Sequence, residues 1–227
     1  MAQDVAMVCG ATGVLGAALV KAFLQRDTRV VAVGSTSETL DALRSGAPRI
    51  RTERVDLRVP TEVASLWDRL ERGGDLPRYV VNVAGGYAAG SVAETEPDRY
   101  RFIFDLNLST AWWTCREAAR RMNGGAIVNV GSRSAVSGGA GEAAYAVSKA
   151  AVIRLTEVLA QELKGVGVRV NVVIPNVLDT PANRRTLPAK LMQRAVPPAD
   201  VAGVISFLCS EESWPITGAA IPVYGHA

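Results

Sequence analysis

Two side chains of complementary chemistry stand four positions apart in the second half of the chain: Tyr145 and Lys149. The surrounding sequence has a helical pattern, so we expect both side chains on one face of a helix, about one turn apart. A nearby ammonium group stabilises a phenolate and lowers the pKa of the phenol from its ordinary value of about 10. The pair therefore predicts a tyrosine that exchanges a proton with a substrate, which is general acid–base chemistry.

A glycine-rich turn begins directly after the first hydrophobic run and reads Gly10-Ala11-Thr12-Gly13-Val14-Leu15-Gly16. Glycines allow a tight turn and a close backbone approach, and the helix that follows offers unpaired N–H groups to an anion. The turn predicts a site for the pyrophosphate of a dinucleotide, with contacts from Gly10, Thr12, Gly13, Val14, Leu15 and Gly16. A turn that only packs a helix on a strand is the alternative.

The end of the second predicted strand indicates which dinucleotide binds. An acidic residue there would hold the ribose 2′-hydroxyl of NAD, whereas this chain has Gly34-Ser35-Thr36. The nearest acid, Glu38, fits a capping box with Ser35 at the start of the next helix. Because no carboxylate repels a 2′-phosphate, NADP is favoured over NAD. Asp56, at the end of the third predicted strand, either meets the adenine or caps the turn before the next helix.

Short β-branched runs alternate with longer segments of helical periodicity along the chain. The runs predict strands at 5–9, 29–33, 50–55, 79–83, 126–130, 168–174 and 220–223. The segments between them predict helices at 14–26, 37–45, 61–72, 97–122, 142–164 and 198–209. This alternation predicts an α/β fold, a doubly wound parallel sheet of about seven strands with helices on both faces.

No linker, internal repeat or low-complexity tract divides the sequence, so we expect residues 1–227 to form one domain. The least regular stretch, 176–198, contains four prolines and is a candidate substrate loop or lid. Four basic residues and no acid lie between positions 180 and 199, namely Arg184, Arg185, Lys190 and Arg194. Together with Arg133, this cluster either attracts an anionic substrate or is a solvated face.

The overall composition excludes several classes of protein. With 25 Lys and Arg against 22 Asp and Glu, the net charge of +3 gives no sign of nucleic-acid binding. The apolar runs are too short for a signal peptide or a membrane span. Cys9, Cys115 and Cys209 are too widely spaced for a zinc site or a disulfide framework. We therefore predict no metal site and a reducing, cytoplasmic location.

Further residues, added to these, make the sequence resemble the short-chain dehydrogenases/reductases over essentially its whole length. That family has a serine thirteen residues before the tyrosine, as Ser132 is here, and an asparagine in the fourth helix, as Asn107 is. Other matches are Asn82-Val83-Ala84-Gly85, Arg169-Val170-Asn171-Val172 before Pro175, Thr180, and Ile216-Thr217-Gly218. The departures are Cys9 for threonine, G-x-x-G-x-x-G for G-x-x-x-G-x-G, and Val83, Asn176 and Tyr224 for asparagine, glycine and aspartate.

The resemblance implies a single-domain, Rossmann-like fold and reversible hydride transfer between C4 of a nicotinamide and a carbonyl carbon. Tyr145 would exchange the proton, Lys149 would lower its pKa and hold the nicotinamide ribose, and Ser132 would hydrogen-bond the substrate oxygen. Asn107 would hold a water that links Lys149 to solvent. The implied cofactor contacts beyond the glycine turn are Gly34, Ser35, Thr36, Asp56, Leu57, Asn82, Ala84, Gly85, Tyr145, Lys149, Pro175, Val177 and Thr180.

The resemblance also bears on assembly and on rival functions. Family members usually associate through their fourth and fifth helices, so a homodimer or homotetramer is implied, with a small carbonyl or alcohol as substrate. A non-catalytic NADP-sensing protein is the principal alternative, although it would not need all four catalytic candidates; an epimerase or lyase is another. His226 is next to last and is not expected to act. Trp112 and Trp113 must point about 100° apart on their helix, one into the core and the other to an interface.

Overall fold

The computed structural model describes residues 3–44 and 47–225, so Ser45 and His226 lie outside the described residues. The strands are Val5–Cys9 (β1), Arg29–Gly34 (β2), Ile50–Arg54 (β3), Tyr79–Asn82 (β4), Gly125–Val130 (β5), Val168–Pro175 (β6) and Ala220–Val223 (β7). They form one parallel sheet in the order β3-β2-β1-β4-β5-β6-β7. The predicted α/β, doubly wound fold is confirmed.

Helices connect the strands, and most begin and end close to the predicted positions. They are Val14–Gln25 (α1), Ser37–Arg44 (α2), Pro60–Arg72 (α3), Pro97–Phe104 (α4), Thr110–Arg121 (α5), Ser134–Ser137 (α6), Ala143–Glu162 (α7), Pro181–Thr186 (α8), Ala189–Met192 (α9) and Pro198–Leu208 (α10). The helix predicted at 97–122 is interrupted by a π-helical turn, Asp105–Ser109, between α4 and α5. The stretch 176–198 is less irregular than predicted, because it contains α8 and α9. Within residues 3–44 and 47–225, no helix has the length and apolar content to span a membrane.

The sheet is covered on both faces because its strands are apolar at consecutive positions. Ala6 and Val8 of β1 pack in a cluster with residues of α1, α2 and α10. Their neighbour Met7 belongs to a second cluster on the other face, with residues of α3, α5 and α7. Trp113 packs against this second cluster, whereas Trp112 is 48% exposed. The two adjacent rings therefore point in different directions, as helical geometry predicts.

The order of the strands reverses between β1 and β4, and this is where ligands bind in doubly wound sheets. The chain leaving β1 and the chain leaving β4 come unusually close there. A Cβ on Gly10, whose φ is 93°, would lie 2.7 Å from the backbone nitrogen of Ala84. The N–H groups of Val83 and Ala84 both donate to the carbonyl oxygen of Cys9, at 3.0 and 2.8 Å. Glycine at position 10 is therefore required for the crevice to have this shape.

Candidate active site

The predicted phenol–ammonium pair lies at the start of α7. Tyr145 is in the first turn of this helix, and Lys149 follows one turn later. Lys149 is only 5% exposed, and its Nζ donates a hydrogen bond to the carbonyl oxygen of Val130 at 2.9 Å. Val130 is the last residue of β5, so α7 places the ammonium group against the carboxyl end of that strand.

Ser132 follows β5 by two residues and reaches the same place. Its hydroxyl group lies near the Tyr145 phenol and lowers the pKa of that phenol. Its Oγ also accepts a hydrogen bond from the backbone N–H of Ser134 at 3.2 Å, which fixes the direction of the hydroxyl. The two residues that the thirteen-residue spacing separates in the sequence therefore lie near each other at the end of β5.

Asn107 is brought to the site by the π-helical turn between α4 and α5. Its Nδ2 donates to the carbonyl oxygens of Ile103 and Gly86, at 3.1 and 2.9 Å, and its Oδ1 accepts from the N–H of Gly86 at 3.1 Å. A Cβ on Gly85 would lie 2.6 Å from Asn107 Oδ1 and 3.1 Å from Lys149 Nζ. The amide and the ammonium thus converge on Gly85, which leaves the space that they occupy.

The protonation behaviour of the two central groups follows from burial. Burial lowers the pKa of Lys149 to about 8. Burial also raises the pKa of Tyr145, and the negative charge of Glu142 raises it further, while the hydrogen bond with Ser132 lowers it. The predicted lowering of the Tyr145 pKa by an ammonium group is therefore wrong here, because desolvation of the phenolate is the largest effect.

The glycine turn forms a cradle with free backbone N–H groups at the start of α1. A Cβ on Gly16 would collide with the carbonyl oxygen of Gly10, so α1 packs directly against the turn. Gly13 is the N-cap of α1, and a Cβ there would make only an ordinary van der Waals contact, 3.5 Å from the carbonyl oxygen of Gly10. Among the described residues, the N–H groups of Val14 and Leu15 have no backbone acceptor. These features fit the phosphates of a dinucleotide.

The end of β2 lies beside this cradle. The helix that follows it, α2, is capped differently from the prediction. Instead of a capping box between Ser35 and Glu38, the hydroxyl oxygens of Thr36 and Thr39 lie 2.6 Å apart. Thr39 Oγ1 also donates to the carbonyl oxygen of Thr36 at 3.1 Å. The predicted capping box is wrong, because α2 begins at Ser37, so Thr36 rather than Ser35 precedes the helix and Glu38 is its second residue, not its third.

The residues predicted near the adenosine are close to one another. A Cβ on Gly34 would lie 3.0 Å from the methyl group of Thr12, so the end of β2 touches the glycine turn. Asp56 caps its turn by accepting from the N–H of Arg58 at 3.0 Å, and its carboxylate also binds the Arg58 guanidinium at 2.9 and 2.7 Å. Leu57 is buried. The predicted cap is therefore present, and contact of Asp56 with an adenine stays a prediction.

Asn82, another predicted cofactor contact, turns its side chain into the core. Its Nδ2 donates to Asn129 Oδ1 at 2.8 Å, and Asn129 Nδ2 donates to Thr156 Oγ1 at 2.9 Å. These side chains link β4, β5 and α7 beneath the site. Contact between Asn82 and a cofactor would therefore have to come from its backbone, whereas Ala84 and Gly85 are at the crevice.

The last three predicted cofactor contacts follow β6. Pro175 ends the strand, and the carbonyl oxygen of Val177 accepts from the N–H of Val196 at 2.8 Å. Thr180 is the N-cap of α8, and its Oγ1 accepts from the N–H of Asn183 at 3.1 Å. The Thr180 hydroxyl keeps its own proton as a donor, so its contact with a carboxamide stays a prediction.

The structure adds two aromatic contacts that the sequence did not reveal. The rings of Tyr87 and Tyr145 meet edge to face, with centroids 5.2 Å apart and planes at 73°. The Arg133 guanidinium lies 5.1 Å from the centre of the Tyr224 ring. Each pair joins segments that are distant in the sequence, so neither spacing nor periodicity gives a signal for it.

The basic cluster near the site contains fewer free cations than its sequence indicates. Arg184 binds the carboxylate of Asp179 through Nε and Nη2, at 2.5 and 2.6 Å. Asp179 lies one position before the stretch that has no acid, so counting charges within 180–199 misses this pair. Arg184 therefore offers little charge to an anionic substrate.

Comparisons with known proteins agree with this geometry. A family model described as enoyl-(acyl carrier protein) reductase matches residues 10–225. The chain is 32% identical to meso-2,3-butanediol dehydrogenase of Serratia marcescens over 99% of this chain and 94% of that protein. It is 35% identical to galactitol 2-dehydrogenase of Rhizobium johnstonii, over 96% and 92% of the two chains.

Solved structures give the same result. A chain described as a short-chain dehydrogenase/reductase from Burkholderia xenovorans superposes with a TM-score of 0.90 at 30% identity, covering 98% of this chain and 95% of that one. A blue fluorescent protein from a metagenomic library, in complex with NADPH, superposes with a TM-score of 0.89 at 26% identity, covering 98% and 96%.

The fold and the matches together define the class of this protein. The chain belongs to the short-chain dehydrogenase/reductase family. It is an NAD(P)-dependent oxidoreductase of small alcohols and carbonyl compounds. The relatives give no support to the alternative of a non-catalytic sensor.

Burial of the Lys149 ammonium group should lower the free energy of unfolding, by an amount that depends on pH. Because burial lowers the pKa of Lys149 from 10.5 to about 8, the folded chain binds this proton more weakly than the unfolded chain does. A shift of this size corresponds to about 3 kcal/mol at pH 7, of which the hydrogen bond to Val130 returns about 1 kcal/mol when the side chain is kept. We expect Lys149→Met to abolish activity yet to raise the free energy of unfolding by about 2 kcal/mol at pH 7.

The pH dependence of the stability gain in Lys149→Met follows from the same difference in proton binding. The gain in Lys149→Met is full below pH 8 and declines between pH 8 and 10.5, as the wild-type ammonium loses its proton. Urea unfolding at pH 7 and pH 10 measures both values, and Lys164→Met, in an exposed position after α7, is the matched control. A variant that is destabilised equally at both pH values would contradict this explanation.

Proposed function

We propose that residues 1–227 act as one NAD(P)-binding domain that transfers a hydride reversibly between the cofactor and a carbonyl carbon. Tyr145 exchanges the proton with the substrate oxygen, and Ser132 hydrogen-bonds that oxygen. Lys149 and Asn107 complete the site. One observation carries the proposal: these four side chains converge at the carboxyl ends of β4 and β5, beside the crevice where the glycine turn lies.

The properties of the side chains suit the reduction of a carbonyl group. The bound nicotinamide supplies the hydride. Because the pKa of Tyr145 is raised, its phenol keeps its proton at neutral pH and can donate it to the developing alkoxide. The Ser132 hydroxyl offers a second hydrogen bond to the same oxygen. The ammonium of Lys149, next to Asn107, can return a proton from solvent to the phenolate.

Removal of the Tyr145 hydroxyl tests the proposed proton transfer. We expect Tyr145→Phe to lower kcat by about 10³-fold with any carbonyl substrate, followed at 340 nm with NADPH and NADH in parallel. Most of the thermal stabilisation by NADPH should remain, because the phenol is not needed to bind the phosphates. Tyr100→Phe, at a tyrosine that is 48% exposed, is the matched control. Residual activity close to wild type in Tyr145→Phe would reject Tyr145 as the proton donor.

We propose NADP(H) as the preferred cofactor. No carboxylate occupies the end of β2, where Gly34 is followed by two hydroxyl side chains. Arg54, the last residue of β3, is the register partner of Gly34. Its side chain is exposed and has no salt-bridge partner among residues 3–44 and 47–225. This cation supports binding of a 2′-phosphate, which arginine recognises well.

Nucleotide fragments isolate this choice from catalysis. We expect 2′,5′-ADP to bind about tenfold more tightly than 5′-AMP in calorimetric titrations, because only the former has a 2′-phosphate. Arg54→Ala should remove this difference without weakening 5′-AMP, and Arg49→Ala, just before β3, should have no effect. Equal affinities in the wild-type protein would reject the preference for NADP(H).

We propose that the chain forms a homodimer or homotetramer in the cytoplasm. The neighbouring helices α4, α5 and α7 expose apolar side chains, including Trp112, Val147 and Val158. Small side chains at 143–151 allow a second helix to approach closely. The cytoplasm is supported by Cys9, Cys115 and Cys209, which are buried free thiols.

A charge placed on this helix face tests the assembly. We expect Trp112→Glu to shift the mass measured by light scattering at micromolar concentration toward that of the monomer, because burying a carboxylate in an apolar interface is costly. Leu76→Glu, before β4 at the opposite end of the sheet, should leave the mass unchanged. A wild-type protein that is already monomeric would contradict the proposal.

A further inference from the structure

The segment at 86–90 is held rigidly beside the active site by hydrogen bonds at both of its ends. At one end, the N–H and carbonyl groups of Gly86 both bond to the Asn107 amide. At the other end, the N–H of Gly90 donates to the carbonyl oxygen of Gly141 at 2.7 Å, and the N–H of Ala143 donates to the carbonyl oxygen of Gly90 at 3.0 Å. Five residues fixed at both ends have little conformational freedom.

This segment places the Tyr87 ring beside the reacting phenol. The ring contacts Tyr145 edge to face at 5.2 Å, yet 65% of the Tyr87 residue remains exposed. An aromatic ring that is fixed next to a catalytic group and open on its other side is available to pack against a bound substrate. Tyr87 therefore forms an apolar wall next to the Tyr145 hydroxyl.

An acidic residue, Glu142, lies three residues before Tyr145 at the start of α7. It forms a parallel β-bridge with Gly90 and is the N-cap of α7, so Tyr145 is the third residue of the helix. The side chains at these two positions of a helix are neighbours, as in a capping box. The Glu142 side chain makes no cap hydrogen bond, and within the described part of the chain it has no salt-bridge partner. Its charge acts on the phenol, since it raises the pKa of Tyr145.

We propose that Glu142 and Tyr87 recognise a substrate with a hydroxyl group on the carbon next to the reacting carbonyl. The Glu142 carboxylate accepts a hydrogen bond from that hydroxyl group, and the Tyr87 ring packs against the carbon chain. In the reaction, the carbonyl carbon gains the hydride, its oxygen gains the Tyr145 proton, and the neighbouring hydroxyl group is unchanged. A carboxylate in the same position would be repelled by Glu142. This inference rests on the proposed function of Tyr145.

Three-carbon ketones test the proposal because they differ at a single position. Beside one methyl group, the carbonyl carbon of hydroxyacetone, acetone and pyruvate carries a hydroxymethyl, a methyl and a carboxylate group, respectively. We expect Glu142→Ala to lower the ratio of kcat/KM for hydroxyacetone over acetone about tenfold, mainly by weakening hydroxyacetone. Glu142→Gln should keep part of this ratio, since its amide oxygen still accepts a hydrogen bond, but should raise kcat/KM for pyruvate.

Two further variants separate recognition from general damage to the site. Tyr87→Ala should lower kcat/KM for all three ketones by similar factors, because its contact is apolar. Glu162→Ala, at the exposed end of the same helix, should change none of the ratios.

The possible outcomes decide between the proposals. An unchanged ratio of hydroxyacetone over acetone in Glu142→Ala would overturn the role of Glu142 while leaving hydride transfer intact. If Glu142→Ala loses more kcat/KM with aminoacetone than with hydroxyacetone, the carboxylate binds an ammonium group. The proposed recognition of a hydroxyl group would then be wrong. Reduction of cyclohexanone but of none of the three-carbon ketones would also overturn it. No oxidation of NAD(P)H with any ketone would contradict the proposed function itself.

Discussion

The buried ammonium group of Lys149 is the constraint on which the rest of the site depends. An isolated cation inside a protein is costly, so the surrounding backbone must receive it with polar groups. The carbonyl oxygen of Val130 does so at the end of β5. Gly85 leaves room for it, and the same room lets Asn107 approach. The sheet, the π-helical turn and α7 each supply one part of this arrangement.

The parallel sheet makes the convergence possible. Since all of its strands run in one direction, their carboxyl ends form one edge, and short segments beyond them share a single crevice. The crevice continues from the glycine turn after β1 to the segments after β4 and β5. The groups that suit phosphates and the groups that suit proton transfer therefore lie along the same edge of the sheet.

Most of the fold could be predicted because it depends on local patterns. The β-branched runs gave all seven strands, and the four-residue spacing of Tyr145 and Lys149 placed both on α7. The π-helical turn was missed, since its residues continue the helical periodicity on both sides. The contact of Tyr87 with Tyr145 and the pairing of Arg184 with Asp179 depend on how distant or adjoining segments fold back. The direction of the Tyr145 pKa shift was wrong because burial depends on the whole packed structure.

The π-helical turn also has a consequence for the sides that α4 and α5 present to their surroundings. A turn with one additional residue rotates everything beyond it by about 100° relative to a regular helix. The segment upstream, α4, and the segment downstream, α5, thus present different sides to their surroundings. The extra residue therefore sets which side of α5 faces the sheet when α4 is already packed, and it directs the Asn107 amide toward Gly86.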